Sequence, residues 1–341
     1  MADVKLAGCR PEPLAHYLKA LGVLRLVAEQ VDPEARAWWN GDAFRLRSAL
    51  DADALVDFFR TKYAPTPIVA PWNGGSGFFA GDNIEGRDAI ERSADPRLAG
   101  YRAAIATARA AVADLGLAER PAGALKARLV DVLRACLSDE ALAWLDAALV
   151  LSADDDDTRL LFPPLLGTGG NDGRLDFTNN QMQRLAELLL VDAKPALLSA
   201  ALFGEPTWGL SRKTAIGQFL PSGAGGANAG PGFDRDSLLN PWDYVLLLEG
   251  ALALTGAATR RMEPGVPASL AFPFLVRAAG TGYASSAASD EDESRGELWL
   301  PLWGAALSFR EMRTLFAEGR AKVRFVRGGG QSGDGSARDV Q

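Results

Sequence analysis

The sequence is poor in the side chains that most hydrolytic and redox chemistry draws on. It has one histidine, His16, and two cysteines, Cys9 and Cys136, in 341 residues. Two cysteines cannot build a four-thiolate zinc site or a disulfide framework, and one histidine excludes every multi-histidine metal centre. No metal and no cofactor is expected. Long apolar runs are also missing: none approaches the ~18 residues that a membrane span needs, so no membrane partner is expected. The start, Met1-Ala2-Asp3-Val4-Lys5, lacks the basic-then-apolar pattern of a secretion signal, and the expected location is cytoplasmic. Positive charge is in deficit, with 36 Lys and Arg against 43 Asp and Glu and a net charge of −7. That argues against a general basic coat for nucleic acid but leaves room for a local cationic groove.

What is present is ordinary globular composition, with 48% apolar and 23% charged residues. The length suits about two domains with a sizeable core. Pro13 suits the first position of a helix, and Leu14, Leu18, Leu21 and Leu24 follow at helical spacing. Trp38-Trp39 and Phe44-Arg45-Leu46-Arg47 flank Asn40-Gly41, a hairpin signal. A short helical pattern carries Leu55, Phe58 and Phe59. Asp95-Pro96 opens a strong helix with apolar positions Leu98, Tyr101, Ile105, Ala108, Val112 and Leu115, closed by Gly116. Two more helices carry Leu125, Leu129, Val132, Leu133 and Cys136, then Leu142, Leu145 and Leu149. The run Asp154-Asp155-Asp156-Asp157 reads as a domain boundary or an exposed loop. Later come a helix with Met182, Leu185 and Leu189, and an apolar helix introduced by Asn240-Pro241-Trp242-Asp243. Strand signals lie at Phe272-Pro273-Phe274-Leu275-Val276 and from Glu297 to Trp303. The fold class expected is α+β, helix-rich and mixed, with two packed lobes at 1–152 and 153–327. Residues 328–341, rich in glycine and serine, are expected to form a disordered tail.

Known catalytic motifs fail on inspection. A Walker loop needs glycine directly before Lys-Thr, but Lys213-Thr214 follows Arg212. Gly167, Gly169 and Gly170 match only the first spacing of a dinucleotide-binding loop. His16 sits on or beside an apolar helix face, which suits a structural histidine. A thiolate–imidazole pair with Cys9 would need a geometry that spacing does not define. The four aspartates point in different directions and lack a calcium-loop pattern.

What remains is a set of polar loops flanked by glycine. Asn73 and Ser76 lie in the first, Ala64-Pro65-Thr66-Pro67-Ile68-Val69-Ala70-Pro71-Trp72-Asn73-Gly74-Gly75-Ser76-Gly77-Phe78-Phe79. Thr168, Asn171 and Arg174 lie in the second, with Asn179 and Asn180 just beyond it. Arg212, Lys213, Thr214 and Gln218 precede a third, from Ser222 to Gly232. Amides can bond base edges, cations can bond phosphate, and glycine loops can offer backbone N–H groups to phosphate. The set suits holding a nucleic acid without cutting it. Plainer readings stand beside it: Asn179 or Asn180 as a helix cap, Asn171-Asp172-Gly173 as a turn, Trp72 as core. Arg310, Arg313, Arg320, Lys322, Arg324 and Arg327 add a basic segment near the end, which a solvated surface explains equally well. Arg102 and Arg109 read as surface charges.

Several long blocks, occurring in order, resemble a known family. They are Leu6-Ala7-Gly8-Cys9-Arg10-Pro11-Glu12-Pro13-Leu14-Ala15-His16-Tyr17-Leu18-Lys19-Ala20-Leu21-Gly22, the proline–glycine segment from Pro65 to Phe78, and Gly167-Thr168-Gly169-Gly170-Asn171-Asp172-Gly173-Arg174-Leu175-Asp176-Phe177. Asn240-Pro241-Trp242-Asp243 and Glu297-Leu298-Trp299-Leu300-Pro301-Leu302-Trp303 complete the set. Together they resemble the N-terminal portion of the large-subunit family of type I-G (formerly I-U) CRISPR Cascade effectors, over residues 5–322. The resemblance implies a non-catalytic subunit of a crRNA-guided surveillance complex in antiviral defence. Such a subunit sits near the 5′ end of the guide, helps recognise the protospacer-adjacent motif, helps open target double-stranded DNA, and presents the complex to a helicase–nuclease. Guide pairing reads most of the target while protein reads a short duplex flank. Implied partners are crRNA, target DNA, the backbone subunit, the subunit at the processed 5′ end of the guide, and the helicase–nuclease. The contact residues named above come from side-chain chemistry, not from the family. Family members run longer, with a C-terminal region resembling the helical small subunit, which has no counterpart here, and the sequence after Lys322 departs from their pattern. Two rival expectations remain: an architectural subunit whose loops meet neighbouring proteins and the guide, and an enzyme acting on a phosphorylated small molecule.

Overall fold

The structure, a computed structural model, describes residues 1–154, 157–166, 177–191, 195–214, 219–224, 237–259, 269–276 and 297–322. The chain opens with β1 (Ala2–Leu6), which buries Val4 and Leu6, and α1 (Leu14–Gln30). The hairpin of β2 (Arg36–Asn40) and β3 (Ala43–Ser48) follows. Asn40 pairs with Ala43, so the two-residue turn is Gly41-Asp42, one position later than the Asn40-Gly41 signal. Gly41 carries the positive φ of 62° that the turn requires.

α2 (Ala52–Thr61) is capped by the Asp51 carboxylate and buries Leu55, Phe58 and Phe59. α3 (Glu85–Arg92), α5 (Gly123–Cys136) and α6 (Asp139–Ala148) pack around α4 (Ala99–Asp114). A 3-10 turn at Pro96–Leu98, capped by Asp95, leads into α4. Leu98, Tyr101, Ile105 and Ala108 are buried as the spacing predicts, while Val112 and Leu115 are half-buried. β4 (Val150–Asp154) and β5 (Asp157–Leu161) pair antiparallel with Asp154 opposite Asp157; Asp155 and Asp156 lie outside the described residues.

α7 (Phe177–Ala186) continues into a π-helical turn, Glu187–Val191, and α8 (Pro195–Phe203) follows. β6 (Ser211–Thr214) pairs with β7 (Ser237–Leu239) ahead of α9 (Pro241–Ala251). Asn240 caps α9 by accepting from the Trp242 N–H, and its amide donates to the Leu197 carbonyl at 2.7 Å. The last elements are β8 (Ala257–Thr259), β9 (Ser269–Pro273), β10 (Leu275–Val276), β11 (Glu297–Leu298), β12 (Leu307–Ser308), α10 (Phe309–Glu318) and β13 (Arg320–Lys322). The strand expected across Phe272–Val276 is broken at Phe274, whose φ is 55°. The fold is helix-rich α+β, with a four-stranded antiparallel sheet β1-β3-β2-β12, a three-stranded sheet β13-β9-β8, and two-stranded pairs.

The core centres on α1 against α9. The leucine spacing in α1 predicts one apolar face, yet the helix is buried on nearly every side from Tyr17 to Val27, Lys19 and Arg25 included. A central helix of this kind carries apolar residues all round. The two backbones meet at Gly22 and Gly250: a Cβ on Gly22 would lie 2.2 Å from the Leu246 carbonyl oxygen, and one on Gly250 would lie 1.7 Å from that of Leu18.

Two buried ion pairs link the same helices. Lys19 Nζ meets Asp243 Oδ1 at 2.6 Å, and Arg25 Nη1 meets Glu249 Oε2 at 2.8 Å. Glu249 also accepts from the Tyr63 hydroxyl at 2.6 Å and from the Thr66 N–H and hydroxyl at 2.9 and 2.7 Å. Its carboxylate is therefore fully paired, the condition under which a buried charge is tolerated.

Residues on either side of position 152 pack on one another. α9 packs on α1, β12 completes the sheet begun by β1, and residues from both sides share one apolar cluster. Residues 328–341 lie outside the described residues.

Candidate nucleic-acid interface

The first glycine loop is positioned by a buried, extended segment. Residues 65–72 are all buried, and Pro65, Pro67 and Pro71 hold them out of helix and sheet. Their carbonyls therefore need partners from elsewhere. Tyr101 on α4 donates to the Ile68 carbonyl at 3.3 Å, and the Trp144 indole on α6 donates to that of Val69 at 2.9 Å. Thr66 is held by Glu249 at the other end.

Beyond Trp72 the chain curls around one carboxylate. Asp82 accepts from the N–H groups of Gly75, Gly77, Phe78 and Phe79, at 2.9, 2.9, 3.1 and 3.2 Å. Gly75 and Gly77 take φ of 75° and 87°, which turns successive N–H groups inward. The Arg87 guanidinium holds the outer side by donating to the Gly77 carbonyl. The N–H groups that were expected to cradle phosphate already hold an internal anion. Asp82→Ala is expected to leave all four unpaired. Hydrogen exchange at Gly75, Gly77, Phe78 and Phe79 should then speed up well beyond that of residues 65–72. Unchanged protection at those amides would contradict the arrangement.

The expected contact residues divide sharply. Asn73 is half-buried at the loop's edge, and its N–H donates to the Ala70 carbonyl. Ser76 is 1% exposed, and its hydroxyl donates to the Asn73 carbonyl at 2.8 Å, which closes the turn. Asn179 is 3% exposed, lies inside α7 rather than at its cap, and accepts from the Gln183 amide at 3.4 Å. Asn180, also inside α7, is half-buried. Arg212, Lys213 and Thr214 form part of β6. Thr168, Asn171, Arg174 and Gln218 lie outside the described residues, as does most of the third glycine loop. Arg102 is engaged with the Asp95 carbonyl at 2.9 Å and Arg109 with Glu91 at 2.7 Å, in keeping with surface charges.

Two cations that sequence reasoning passed over act on one another, and Arg120 stands beside this loop. The Arg120 side chain crosses Gly74, where an added Cβ would lie 3.1 Å from its Nη1. Lys126 Nζ lies 4.9 Å from the Phe162 ring centroid. Burial, and then the charge of Arg120, lowers the Lys126 pKa from its ordinary value. Lys126 also occupies the first turn of α5, which has no acidic residue there and no side-chain cap. A cation in that position opposes the helix dipole. Arg120 thus lies beside Gly74, and Lys126, close enough to feel its charge, sits at a helix N-terminus against an aromatic face, an arrangement that an approaching phosphate would relieve. Only the tertiary fold brings these segments together, so no local spacing announces them.

The Cys9 and His16 pair has the opposite character. Burial pushes the Cys9 thiol up to about 12. Burial, and then Lys19, lowers His16 from 6.5 to about 4. Both are held neutral, which disfavours a thiolate–imidazolium pair. The depressed His16 value has a sign that can be tested. Its contribution to stability is complete above pH 6.5, declines as pH falls toward about 4, and is absent below that. Urea melts across this window should therefore fall in midpoint with falling pH, and His16→Gln should flatten the trend. An equal trend in the variant would assign the effect to other groups.

Among the described residues, no three His, Cys, Asp or Glu side chains gather as metal ligands, and no helix is long and apolar enough to cross a membrane. No family model and no curated protein matches this chain.

Proposed function

We propose that this chain is a non-catalytic large subunit of a type I-G crRNA-guided surveillance complex, acting in the cytoplasm in antiviral defence. In this reading it helps recognise the protospacer-adjacent motif, helps open target double-stranded DNA and recruits the helicase–nuclease. It works beside crRNA, the backbone subunit and the subunit at the guide's 5′ end. The family resemblance supplies the role. The observation that carries nucleic-acid contact is Arg120 beside Gly74, with Lys126 close enough to feel its charge. The blocks that bear the resemblance are also knit together. Tyr17 donates to the Pro301 carbonyl at 2.9 Å, and Lys19 meets Asp243.

The assembled complex provides the test. Arg120→Gln with Lys126→Gln should weaken target binding and lower the salt dependence by about two counterions, near one for each phosphate that is no longer neutralised. Asn73→Ala should weaken it further. Unaltered motif-dependent binding and an unaltered salt slope would remove this surface from the interface.

The architectural reading has its own support in Asp82, which occupies the loop's N–H groups, and in the burial of Ser76 and Asn179. DNA carrying a photoreactive flank separates the two. Cross-links on residues 73–74 or 120–126 favour DNA contact, and cross-links confined to other subunits favour the architectural role.

A further inference from the structure

A second cationic site stands in a different part of the fold. A cleft of about 290 Å³ opens between the end of α9, β9 and α10. Arg313, Arg320, Thr255 and Thr314 line it, against an apolar wall that includes Pro273 and Phe316. Arg313 belongs to α10 and Arg320 opens β13, so two separate elements each contribute an arginine to the lining of one space.

Both elements are firmly seated. α10 begins with a capping box in which the Ser308 hydroxyl accepts from the Glu311 N–H and the Glu311 carboxylate accepts from the Ser308 N–H. It buries Met312 and Phe316. Arg320 pairs across the sheet with Pro273. The preceding residue, Gly319, lies against the Phe274 ring, where a Cβ would fall 2.2 Å from the nearest ring carbon. Gly319 also accepts from the Phe274 N–H at 2.7 Å. Phe274 itself holds φ at 55°, a costly conformation for a bulky residue, with its ring centroid 5.5 Å from that of Phe316. Strain of this kind persists only where the surroundings over-determine it. Here it fixes the wall and the strand that present Arg320.

Among the described residues, the lining of the cleft contributes no carboxylate. Neither Arg313 nor Arg320 forms an ion pair among the described residues. Glu29, whose charge Arg313 influences, is engaged with Arg25 at 3.1 Å. Thr314 donates its hydroxyl hydrogen to the Arg310 carbonyl at 3.1 Å, while Thr255 adds a second hydroxyl to the lining. Planar guanidinium groups bind phosphate through paired N–H bonds. The volume is near the lower end of small-molecule sites, roughly 300 Å³, which suits one phosphate with its sugar and not a dinucleotide.

We infer that this cleft binds a phosphate group carried on a single nucleotide unit, with Arg313 and Arg320 as the two phosphate ligands. The site does not depend on the Arg120–Lys126 surface or on membership of a guided complex. The phosphate can belong to a free nucleotide or to one unit of a polynucleotide, and the probes distinguish these sources.

The test titrates the 341-residue chain with inorganic phosphate, adenosine monophosphate and a fluorescently labelled ten-nucleotide RNA, using calorimetry and anisotropy. Saturable binding of adenosine monophosphate with weaker inorganic phosphate binding identifies a free nucleotide. Saturable binding of the RNA alone identifies a polynucleotide. In either case Arg313→Gln and Arg320→Gln should each weaken binding at least about tenfold, the effect of removing one charge-assisted hydrogen bond. Arg313→Lys should restore part of it. Arg310→Gln, which removes an equal charge from α10 outside the cleft lining, should leave binding unchanged. All four substitutions fall on exposed side chains, and thermal melting will verify the fold of each. Absence of saturable binding for all three probes, or equal losses in the Arg310 and Arg313 variants, would overturn the inference. Loss of binding to Arg120→Gln instead would assign the ligand to the other surface.

Discussion

Gly250→Ala is expected to destabilise the chain by at least about 3 kcal/mol, the upper end of what overpacking costs. The new methyl carbon would lie 1.7 Å from the Leu18 carbonyl oxygen and 2.7 Å from the Gly22 nitrogen. Neither atom is the end of a flexible side chain, so α1 and α9 must separate as whole helices. In a solvent-exposed helix the same change is worth about 1 kcal/mol in the opposite direction, through helix propensity. The expected sign therefore depends entirely on the interhelical contact. Gly304 offers the comparison, because a Cβ there meets nothing within 4 Å. Gly304→Ala should change stability by no more than about 1 kcal/mol. Urea denaturation of the two variants gives the answer, and equal midpoints would mean that the helices do not meet at Gly250.

Removing the buried carboxylate should have an effect of similar size. Glu249→Ala leaves Arg25 without its buried partner and strips acceptors from the Tyr63 hydroxyl and the Thr66 N–H. Breaking one side of such a pair costs about 3–5 kcal/mol. Arg25 keeps a contact with the more exposed Glu29 at 3.1 Å, which offsets a part of that loss. The pair Arg25→Met with Glu249→Leu should cost less than the sum of its single changes, since neither charge is then stranded. A double-mutant cycle measures the difference. Strict additivity would show that Arg25 and Glu249 do not act on one another.

Local chemistry made much of the fold legible. The spacing Leu98, Tyr101, Ile105, Ala108 and the Asp95-Pro96 start define α4 because every signal lies within one helix. The Trp38–Leu46 hairpin is legible for the same reason, with its turn displaced by one residue. α1 reads as one-sided because its leucines show only one face, while the cover supplied by α9 comes from more than 200 residues away. β12 and β13 have two and three residues, too few to generate a period. The candidate site was legible in part. The segment after Trp72 reads as a specialised turn from composition alone. Asp82 is local enough to be recognised as its internal partner, but glycine and amide content drew attention to external phosphate instead. Ser76 and Asn179 show the limit of side-chain chemistry, because a polar residue serves a turn or a helix interior as readily as a ligand. Arg120 and Lys126 acquire meaning only where the chain folds back on Gly74.

The placement of β12 also bears on how the chain emerges from the ribosome. Three strands of the principal sheet are complete by Ser48, but the fourth is Leu307–Ser308. At about 5–20 residues per second, translation needs roughly 13–50 s to cover that interval. Throughout it β2 presents a naked edge, with Trp39 lacking the Trp303 carbonyl that its N–H bonds at 2.9 Å in the finished fold. Nascent chains halted before that point carry an adhesive strand, open to another copy of itself.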